Sequence, residues 1–383
     1  MKTLKKRLLK LATGIEDNFD TLASAWRKRL NADKPLQIVT YRSYGTVNRL
    51  YVKGRLLSDK SIRKSTDKDT VWNNILSMYK RFESDEVPGA RLQLLFQGKP
   101  YIVPSDAEGY FTLDLYTEQP VPWNDMWHEV EIELLEAPYS YSPGLKSTAD
   151  VLVPPADAEY GIISDIDDTI VKTTATNLLA MSRNTFLHNA HTRLPFAGVS
   201  EFYKSLQLGR NGKRNNPFFY VSSSPWNLYD LLIDFLDLND IPEGPLLLRD
   251  FGLDVNKESA DHMGHKFKEI KNILIAYPNL NFVIIGDSGQ DDPQIYREIV
   301  SSFPDRILAI YIRDVQLSDR EKIAIDISKS FANDKVEMVI VDNTVEAAEH
   351  AVNSKLIFTE AVHQIVVDKK QDKGELPGKI DIE

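Results

Sequence analysis

The stretch Tyr160-Gly-Ile-Ile-Ser-Asp-Ile-Asp-Asp-Thr169 decides the fold of the larger part of this chain. Its apolar run at Gly161–Ser164 does not alternate with polar residues, which is typical of a buried parallel strand with helices on both faces. Ligands of a doubly wound sheet bind beyond the carboxyl ends of its strands. We therefore expect Asp165 and Asp167, which follow the run, to lie in a ligand-binding crevice.

Four further apolar runs indicate the same fold. They begin at Pro217, Asn281, Ile307 and Val336, and a helical pattern follows each of them. Strands that alternate with helices predict an α/β domain over residues 158–361, built on a doubly wound parallel sheet. The segments between the first strands leave no room for a large cap domain, so we expect an open site that admits bulky substrates.

Residues 36–137 follow a period of two instead, as in His128–Leu134, where every second residue is apolar. This pattern predicts an antiparallel β-sandwich, interrupted by a helical segment around Val71–Phe82. The strings Pro88–Leu94 and Pro104–Leu113 resemble the prealbumin-like sandwich of carboxypeptidase regulatory domains. We predict two domains of different fold class.

Three segments lie outside these domains. A stretch rich in Pro and Ser, 138–157, is predicted to link them, and a charged stretch, 362–383, to form a loose tail. Residues 1–30 place apolar side chains three and four positions apart and carry eight basic residues against three acidic ones. This amphipathic helix either lies on an anionic membrane surface or packs on the neighbouring domain or on a second copy of the chain.

The composition excludes several classes of function. Among 383 residues, 46 are basic and 56 acidic, and the net charge of −10 disfavours nucleic-acid binding. The absence of cysteine excludes disulfides, thiolate metal sites and thiol nucleophiles, so a metal must use oxygen or imidazole ligands. No stretch has the roughly 20 apolar residues of a spanning helix. We predict a cytoplasmic protein, with peripheral membrane contact as an option for residues 1–30.

The carboxylates of Asp165, Asp167 and Asp168 repel one another unless a cation or protons relieve the repulsion. One interpretation is a hard divalent-metal site of the Mg²⁺ type, and the other is an Asp-rich turn or helix cap. Polar groups near other strand ends favour the metal site. These groups are Ser222, Asp287, Asp291 and Asp292, together with Lys266 before a helical pattern.

The order of these groups resembles the four motifs of the haloacid dehalogenase superfamily, which are an Asp-x-Asp-x-Thr loop, a Ser or Thr after the next strand, a Lys and a Gly-Asp acidic loop. The strings Tyr220–Tyr229 and Gly286–Tyr296 are similar to the catalytic domain of the actin-patch-associated phosphatidate phosphatases, relatives of the lipins. Gly54–Leu57 resembles the N-terminal part of bacterial-type members. One departure is Gln294, which stands where the family string has Glu, whereas the family's ligand role falls on Asp residues.

The resemblance implies how the motif residues act in phosphoryl transfer with Mg²⁺ as cofactor. Asp165 is the nucleophile that forms an aspartyl-phosphate, and Asp167 is the general acid and base. Ser222 donates to the phosphoryl oxygens, and Lys266 adds positive charge there and pairs with Asp165. The implied metal ligands are Asp165, Asp167, Asp287 and Asp292, with Asp291 as the alternative to Asp292.

Three further residues are candidates for substrate contact. Thr169 ends the first motif. Ser223 neighbours the phosphate loop, and the alternative is that its hydroxyl only stabilises a turn. Arg249 follows the strand-like Pro245–Leu248, and the alternative to substrate contact is that it stabilises the fold.

The implied function is a Mg²⁺-dependent phosphatase that converts phosphatidate to diacylglycerol and phosphate. The same chemistry also fits another phosphomonoester, either a soluble metabolite or a phosphoprotein. A binding protein with an inactive phosphatase domain is the third hypothesis, and the intact set of Asp165, Asp167, Lys266 and Asp287 argues against it.

Overall fold

A computed structural model describes residues 35–58, 86–170, 196–249 and 261–375, apart from positions 122, 124, 139, 140, 142, 168, 316, 317, 332 and 333. The helix expected over residues 1–30 and the helical segment around Val71–Phe82 lie outside the described residues. Within the described ranges, no helix combines the length and the apolar character that crossing a membrane requires.

The first half of the described chain forms an eight-stranded sheet. Its strands are β1 (Leu36–Thr40), β2 (Ser43–Thr46), β3 (Arg49–Ser58), β4 (Arg91–Phe96), β5 (Lys99–Pro104), β6 (Tyr110–Tyr116), β7 (Trp127–Glu136) and β8 (Lys146–Leu152). The hydrogen-bonded order is β1-β3-β2-β8-β7-β4-β5 with β6 on β3, and every pair is antiparallel except β2 with β8. Because β5 also contacts β6, the sheet closes around its own apolar core.

Alternation of side chains builds this sheet, as β7 illustrates. Val130, Ile132 and Leu134 are buried, and the glutamates between them are exposed or half-buried. In the turn between β4 and β5, Gln97 and Gly98 have φ values of 51° and 70°, the backbone of a two-residue type I′ hairpin. The antiparallel sheet predicted from the period of two is confirmed.

Part of the predicted linker is a strand. β8 lies inside 138–157, pairs with β7 along its whole length and buries Ala149, Val151 and Leu152. The prediction of a linker is wrong for these residues, because the Pro- and Ser-rich flanks of β8 mask its short alternation of polar and apolar positions. Residues 153–160 are all that separates β8 from the next sheet.

The second half forms a six-stranded parallel sheet. Its strands are β9 (Gly161–Ser164), β10 (Phe218–Pro225), β11 (Leu246–Arg249), β12 (Phe282–Asp287), β13 (Ile307–Arg313) and β14 (Met338–Val341). Their order is β11-β10-β9-β12-β13-β14. β9 and β12 are the two central strands. β10 and β11 follow β9 toward one edge of the sheet, and β13 and β14 follow β12 toward the other edge. The crevice of this doubly wound sheet therefore opens at the carboxyl ends of β9 and β12.

Helices cover both faces of this sheet. On one face lie α1 (Val199–Leu208), α2 (Tyr229–Leu238), α6 (Thr344–Asn353) and α7 (Ala361–Asp372), and on the other lie α3 (Asp261–Ala276), α4 (Asp292–Ser302) and α5 (Ser318–Ser330). Successive residues of a strand face opposite layers, such as Ile162 and Ile163, so the runs contain no polar alternation. Helix α7 buries Ile365 and continues the domain beyond residue 361, where we expected the tail to begin.

Aromatic side chains join the two sheets. Tyr41 stacks on Trp226 with 4.4 Å between ring centroids, and the Tyr44 ring lies 6.1 Å from Phe219 and 6.3 Å from Tyr277. All five side chains are buried. The eight-stranded sheet thus packs directly beside the turn that follows β10.

Candidate active site

The end of β9 and the end of β12 are adjacent, and they carry Asp165 and Asp287 to the same edge of the sheet. The backbone N–H of Asp165 donates to the carbonyl oxygen of Ile285 at 2.9 Å, which ties the loop after β9 to β12. Asp287 accepts from the backbone N–H groups of Gly289 and Gln290 through Oδ1, at 2.6 and 3.0 Å. Both carboxylates are at most 1% exposed, so the strand ends hold charge inside the protein.

Lys266 places a cation between two of the buried carboxylates. Its Nζ lies 2.8 Å from Oδ1 of Asp165 and 2.6 Å from Oδ1 of Asp292, and it donates to Oε1 of Gln290 at 3.3 Å. Helix α3 supplies the lysine, and the first turn of α4 supplies Asp292, which is fully buried. The hydroxyl of Tyr296, one turn along α4, lies 3.3 Å from Oδ2 of Asp292.

The pKa values in this cluster move away from their usual ranges. Burial raises the pKa of the Asp165 carboxyl well above its usual range, the Lys266 ammonium acts against this, and the neighbouring carboxylates add to it. Burial alone lowers the pKa of Lys266, but the charges of Asp165, Asp292 and Asp287 outweigh burial and raise it. Lys266 therefore stays protonated at neutral pH, and the carboxylates around it favour further positive charge.

The donor set fits a hard divalent cation. Carboxylate oxygens of Asp165, Asp287 and Asp292 all lie within 4.8 Å of one another. Oδ2 of Asp165 is buried and has no hydrogen-bond partner among the described residues. Oxygen ligands of this kind are those that Mg²⁺ takes in proteins. Asp291 lies outside the group, half-exposed, and forms an ion pair with Arg320 at 2.7 Å.

Asp167 faces the other neighbour of β9, strand β10. Its Oδ2 accepts from the hydroxyl of Ser222 at 2.7 Å and from that of Ser224 at 3.1 Å. The backbone N–H of Ser224 donates to Oγ of Ser222 at 2.9 Å, which fixes the two hydroxyls relative to each other. Asp167 is not in the group of three carboxylates that lie within 4.8 Å of one another.

The remaining predicted residues lie around this site. Thr169 is buried and lines a small cavity of about 30 Å³, and Ser223 is half-buried between the two serines that contact Asp167. Arg249 ends β11, where it pairs in register with Pro225 of β10. It lies one strand further from β9 than the serines do.

Sequence reasoning missed two contacts, that of Ser224 with Asp167 and that of Tyr296 with Asp292. Ser224 follows Ser222 by two positions, the spacing of one face of a strand. Tyr296 follows Asp292 by four positions, the spacing of one face of a helix. Both signals are present in the sequence, but neither specifies its partner.

Fold and site together define a doubly wound α/β protein with a buried acidic site and a lysine at the point where the strand order reverses. Residues 160–314 match the family model described as phosphatidate phosphatase APP1, catalytic domain. The resemblance stated from the motifs is confirmed over these residues.

Curated relatives match parts of the chain. Phosphatidate phosphatase APP1 of Saccharomyces cerevisiae is 37% identical over 155 residues, which are 40% of this chain and 25% of the relative. An uncharacterized protein of Schizosaccharomyces pombe is 30% identical over 216 residues, 56% of this chain and 34% of the relative. The chain thus matches a quarter to a third of the length of these relatives.

One solved structure has a remote likeness to this chain. A carbohydrate acetylesterase from Xanthomonas citri aligns over 89% of this chain and 76% of its own, at 11% identity and a TM-score of 0.28. A TM-score of 0.28 does not establish a shared fold or a shared function.

Proposed function

We propose that this chain is a Mg²⁺-dependent phosphatidate phosphatase of the haloacid dehalogenase type, with a prealbumin-like sandwich as its first domain. The observation that carries the proposal is the buried contact of Lys266 with Asp165 and Asp292 inside the segment that matches the family. Burying three carboxylates and a lysine lowers the stability of the folded state through desolvation. Buried charges of this kind are typical of active sites.

Asp165 is the proposed nucleophile. Its carboxylate oxygen forms a bond to phosphorus while the bond from phosphorus to the substrate alkoxide breaks, which leaves an aspartyl-phosphate. Lys266, 2.8 Å from Oδ1, orients the carboxylate and supplies positive charge toward the phosphoryl oxygens. Both groups are fixed by burial before substrate arrives, so little reorganisation accompanies the reaction.

Asp167 is the proposed general acid and base. In the first half-reaction it gives a proton to the leaving alkoxide, and in the second it takes a proton from the water that hydrolyses the aspartyl-phosphate. Ser222 and Ser224 hold its carboxylate from the β10 side. Ser222 has a single hydroxyl proton, which it donates to Asp167. In its proposed role as a donor to phosphoryl oxygens, this proton turns from Asp167 to the substrate, and Ser224 continues to hold Asp167.

The three clustered carboxylates, Asp165, Asp287 and Asp292, are the proposed holders of Mg²⁺. The family resemblance implies Asp167 as a further ligand, although its side chain lies outside this group. Bound there, Mg²⁺ supplies the positive charge that lets an anionic nucleophile approach an anionic phosphate. The site is proposed to receive a lipid headgroup at a bilayer surface, with residues 1–30 as a peripheral contact.

Phosphate release tests the proposal. The full chain is assayed with Mg²⁺ against dioctanoyl phosphatidate in mixed micelles, glycerol 3-phosphate, an aryl phosphate and a phosphopeptide. We expect the highest kcat/KM for phosphatidate. A preference for one of the other esters, abolished by Asp165→Asn, would contradict the lipid assignment and retain the phosphatase chemistry. Turnover that survives Asp165→Asn would contradict both.

A further inference from the structure

The boundary between the two sheets contains a cavity of about 340 Å³. The eight-stranded sheet contributes Lys53 from β3. The turn after β10 contributes Trp226, and the end of β11 contributes Arg249. Helix α3 contributes His265, Lys268 and Glu269. Three cationic side chains therefore face the cavity with one carboxylate, in a chain whose net charge is −10.

The cavity is rich in hydrogen-bond donors that are held in place. The Nζ atom of Lys53 lies 4.5 Å from the ring centroid of Trp226 and 4.7 Å from that of Tyr110, so two aromatic rings position the ammonium group. Trp226 is 6% exposed, so the ring that holds the Lys53 ammonium is itself fixed in the packing between the two sheets.

The cavity also lies on the side of the site where the leaving group departs. Along the sheet edge the order is β12, β9, β10 and β11. The carboxylate cluster lies at β12 and β9, Asp167 with its serines lies at β9 and β10, and the cavity follows at β10 and β11. If Asp167 protonates the leaving alkoxide, as proposed, the alcohol lies on the β10 side of the carboxylate cluster, which is also the side of the cavity. His265 lines the cavity directly before Lys266, which contacts Asp165.

We propose that this cavity binds the alcohol part of the substrate through oxygen atoms next to the phosphate, such as the ester carbonyls of a glycerolipid. The inference rests on the proposed function and adds a substrate-recognition role for the eight-stranded sheet through Lys53. Lys53 and Lys268 donate to these oxygens, and a simple alkyl phosphate offers none. The cavity thus selects phosphomonoesters of oxygen-rich alcohols over phosphomonoesters of plain ones.

Binding to the inactive Asp165→Asn protein tests this proposal without turnover. Dissociation constants are measured by calorimetry with Mg²⁺ for monomeric dioctanoyl phosphatidate and for octyl phosphate. Lys53→Met and Lys268→Met keep the aliphatic stems. We expect each to weaken phosphatidate binding about tenfold relative to octyl phosphate binding, because one charge-assisted hydrogen bond is lost. Lys99→Met, at an exposed position of β5, is the control and should leave the ratio unaltered.

Two results would overturn the proposal. One is an equal affinity of the parent protein for the two ligands, and the other is an affinity ratio that stays unaltered in both lysine variants, whether or not binding of both ligands weakens. The proposed function is judged separately, by phosphate release from phosphatidate with the wild-type chain. Selective binding without that release would reject the function and retain the cavity as a site for an oxygen-rich ligand.

Discussion

In the eight-stranded sheet, Lys146 forms ion pairs with Glu131 at 2.7 Å and with Glu133 at 3.3 Å. At the edge of the parallel sheet, Lys266 forms ion pairs with Asp165 at 2.8 Å and with Asp292 at 2.6 Å. The Lys146 side chain is 48% exposed, and that of Lys266 is 3% exposed. The first group is a solvated surface cluster that contributes little to the free energy of unfolding. The second group is buried, and burying its charges costs stability.

The largest expected difference concerns activity. Asp165→Asn removes the nucleophile with almost no change in volume, and we expect kcat to fall by at least about a thousandfold. Asp150→Asn makes the same chemical change at an exposed position of β8 and should leave kcat unaltered. Phosphate release and circular dichroism of both variants check this. A folded Asp165→Asn protein with more than a few per cent of wild-type turnover would refute the role of Asp165.

Replacing the two lysines compares the clusters directly. Lys266→Met leaves the buried carboxylates of Asp165 and Asp292 without their cation, and we expect the free energy of unfolding in Mg²⁺-free buffer to fall by about 3 kcal/mol. Lys146→Met removes only exposed pairs, and we expect no measurable change in the urea midpoint. Equilibrium urea unfolding of the two variants measures both effects. Equal changes would mean that burial does not distinguish the clusters.

Divalent cations should also distinguish the clusters. Mg²⁺ at about 100 times its dissociation constant is expected to stabilise the folded chain by roughly 2.7 kcal/mol, because it binds the native carboxylate cluster and not the unfolded chain. Asp287→Asn should abolish most of the rise in Tm on adding Mg²⁺, and Glu131→Gln in the exposed cluster should preserve it. Thermal unfolding with Mg²⁺ and with a chelator measures the shift. An undiminished shift in Asp287→Asn would exclude Asp287 as a ligand.

The smallest expected effect belongs to Ser224. Its hydroxyl donates to Asp167 at 3.1 Å, and Ser222 donates to the same oxygen, so Ser224→Ala leaves one of two donors. A loss of about fivefold in kcat, with little change in KM, corresponds to one ordinary hydrogen bond of about 1 kcal/mol. Ser147→Ala in β8 is the control. An unaltered kcat in Ser224→Ala would show that Ser222 alone orients Asp167.

The sequence predicts most of the parallel sheet because its strands are buried on both faces. Runs such as Asn281–Gly286 contain no polar residue after Asn281 and mark the strand without reference to any partner. β8 was missed because its pattern depends on a single buried face and is short. β2 was missed too, since Ser43–Thr46 consists of residues common in turns and is buried through partners distant in sequence, which are β3, β8 and the rings of Phe219 and Tyr277.

Local strings also indicated most of the site residues, since each stands at the end of a recognisable strand or before a helix. The cavity between the sheets could not be predicted in this way. It brings Lys53 within 4.5 Å of the ring of Trp226, and the two are far apart in sequence with no local pattern to connect them. Only the packing of β3 against the turn after β10 creates this contact.

The aromatic contacts between the sheets bear on how the chain can be dissected. A fragment cut to the matched segment, residues 160–314, would lack Tyr41 and Tyr44 and would leave Trp226 and Tyr277 without the rings that cover them. It would also lack β14 and the two helices that follow, which complete one side of the parallel sheet. The segment that the family model matches is therefore smaller than the packed unit to which it belongs. Expression trials should begin from the full chain, and fragments bounded by the matched segment alone are expected to aggregate through the uncovered rings.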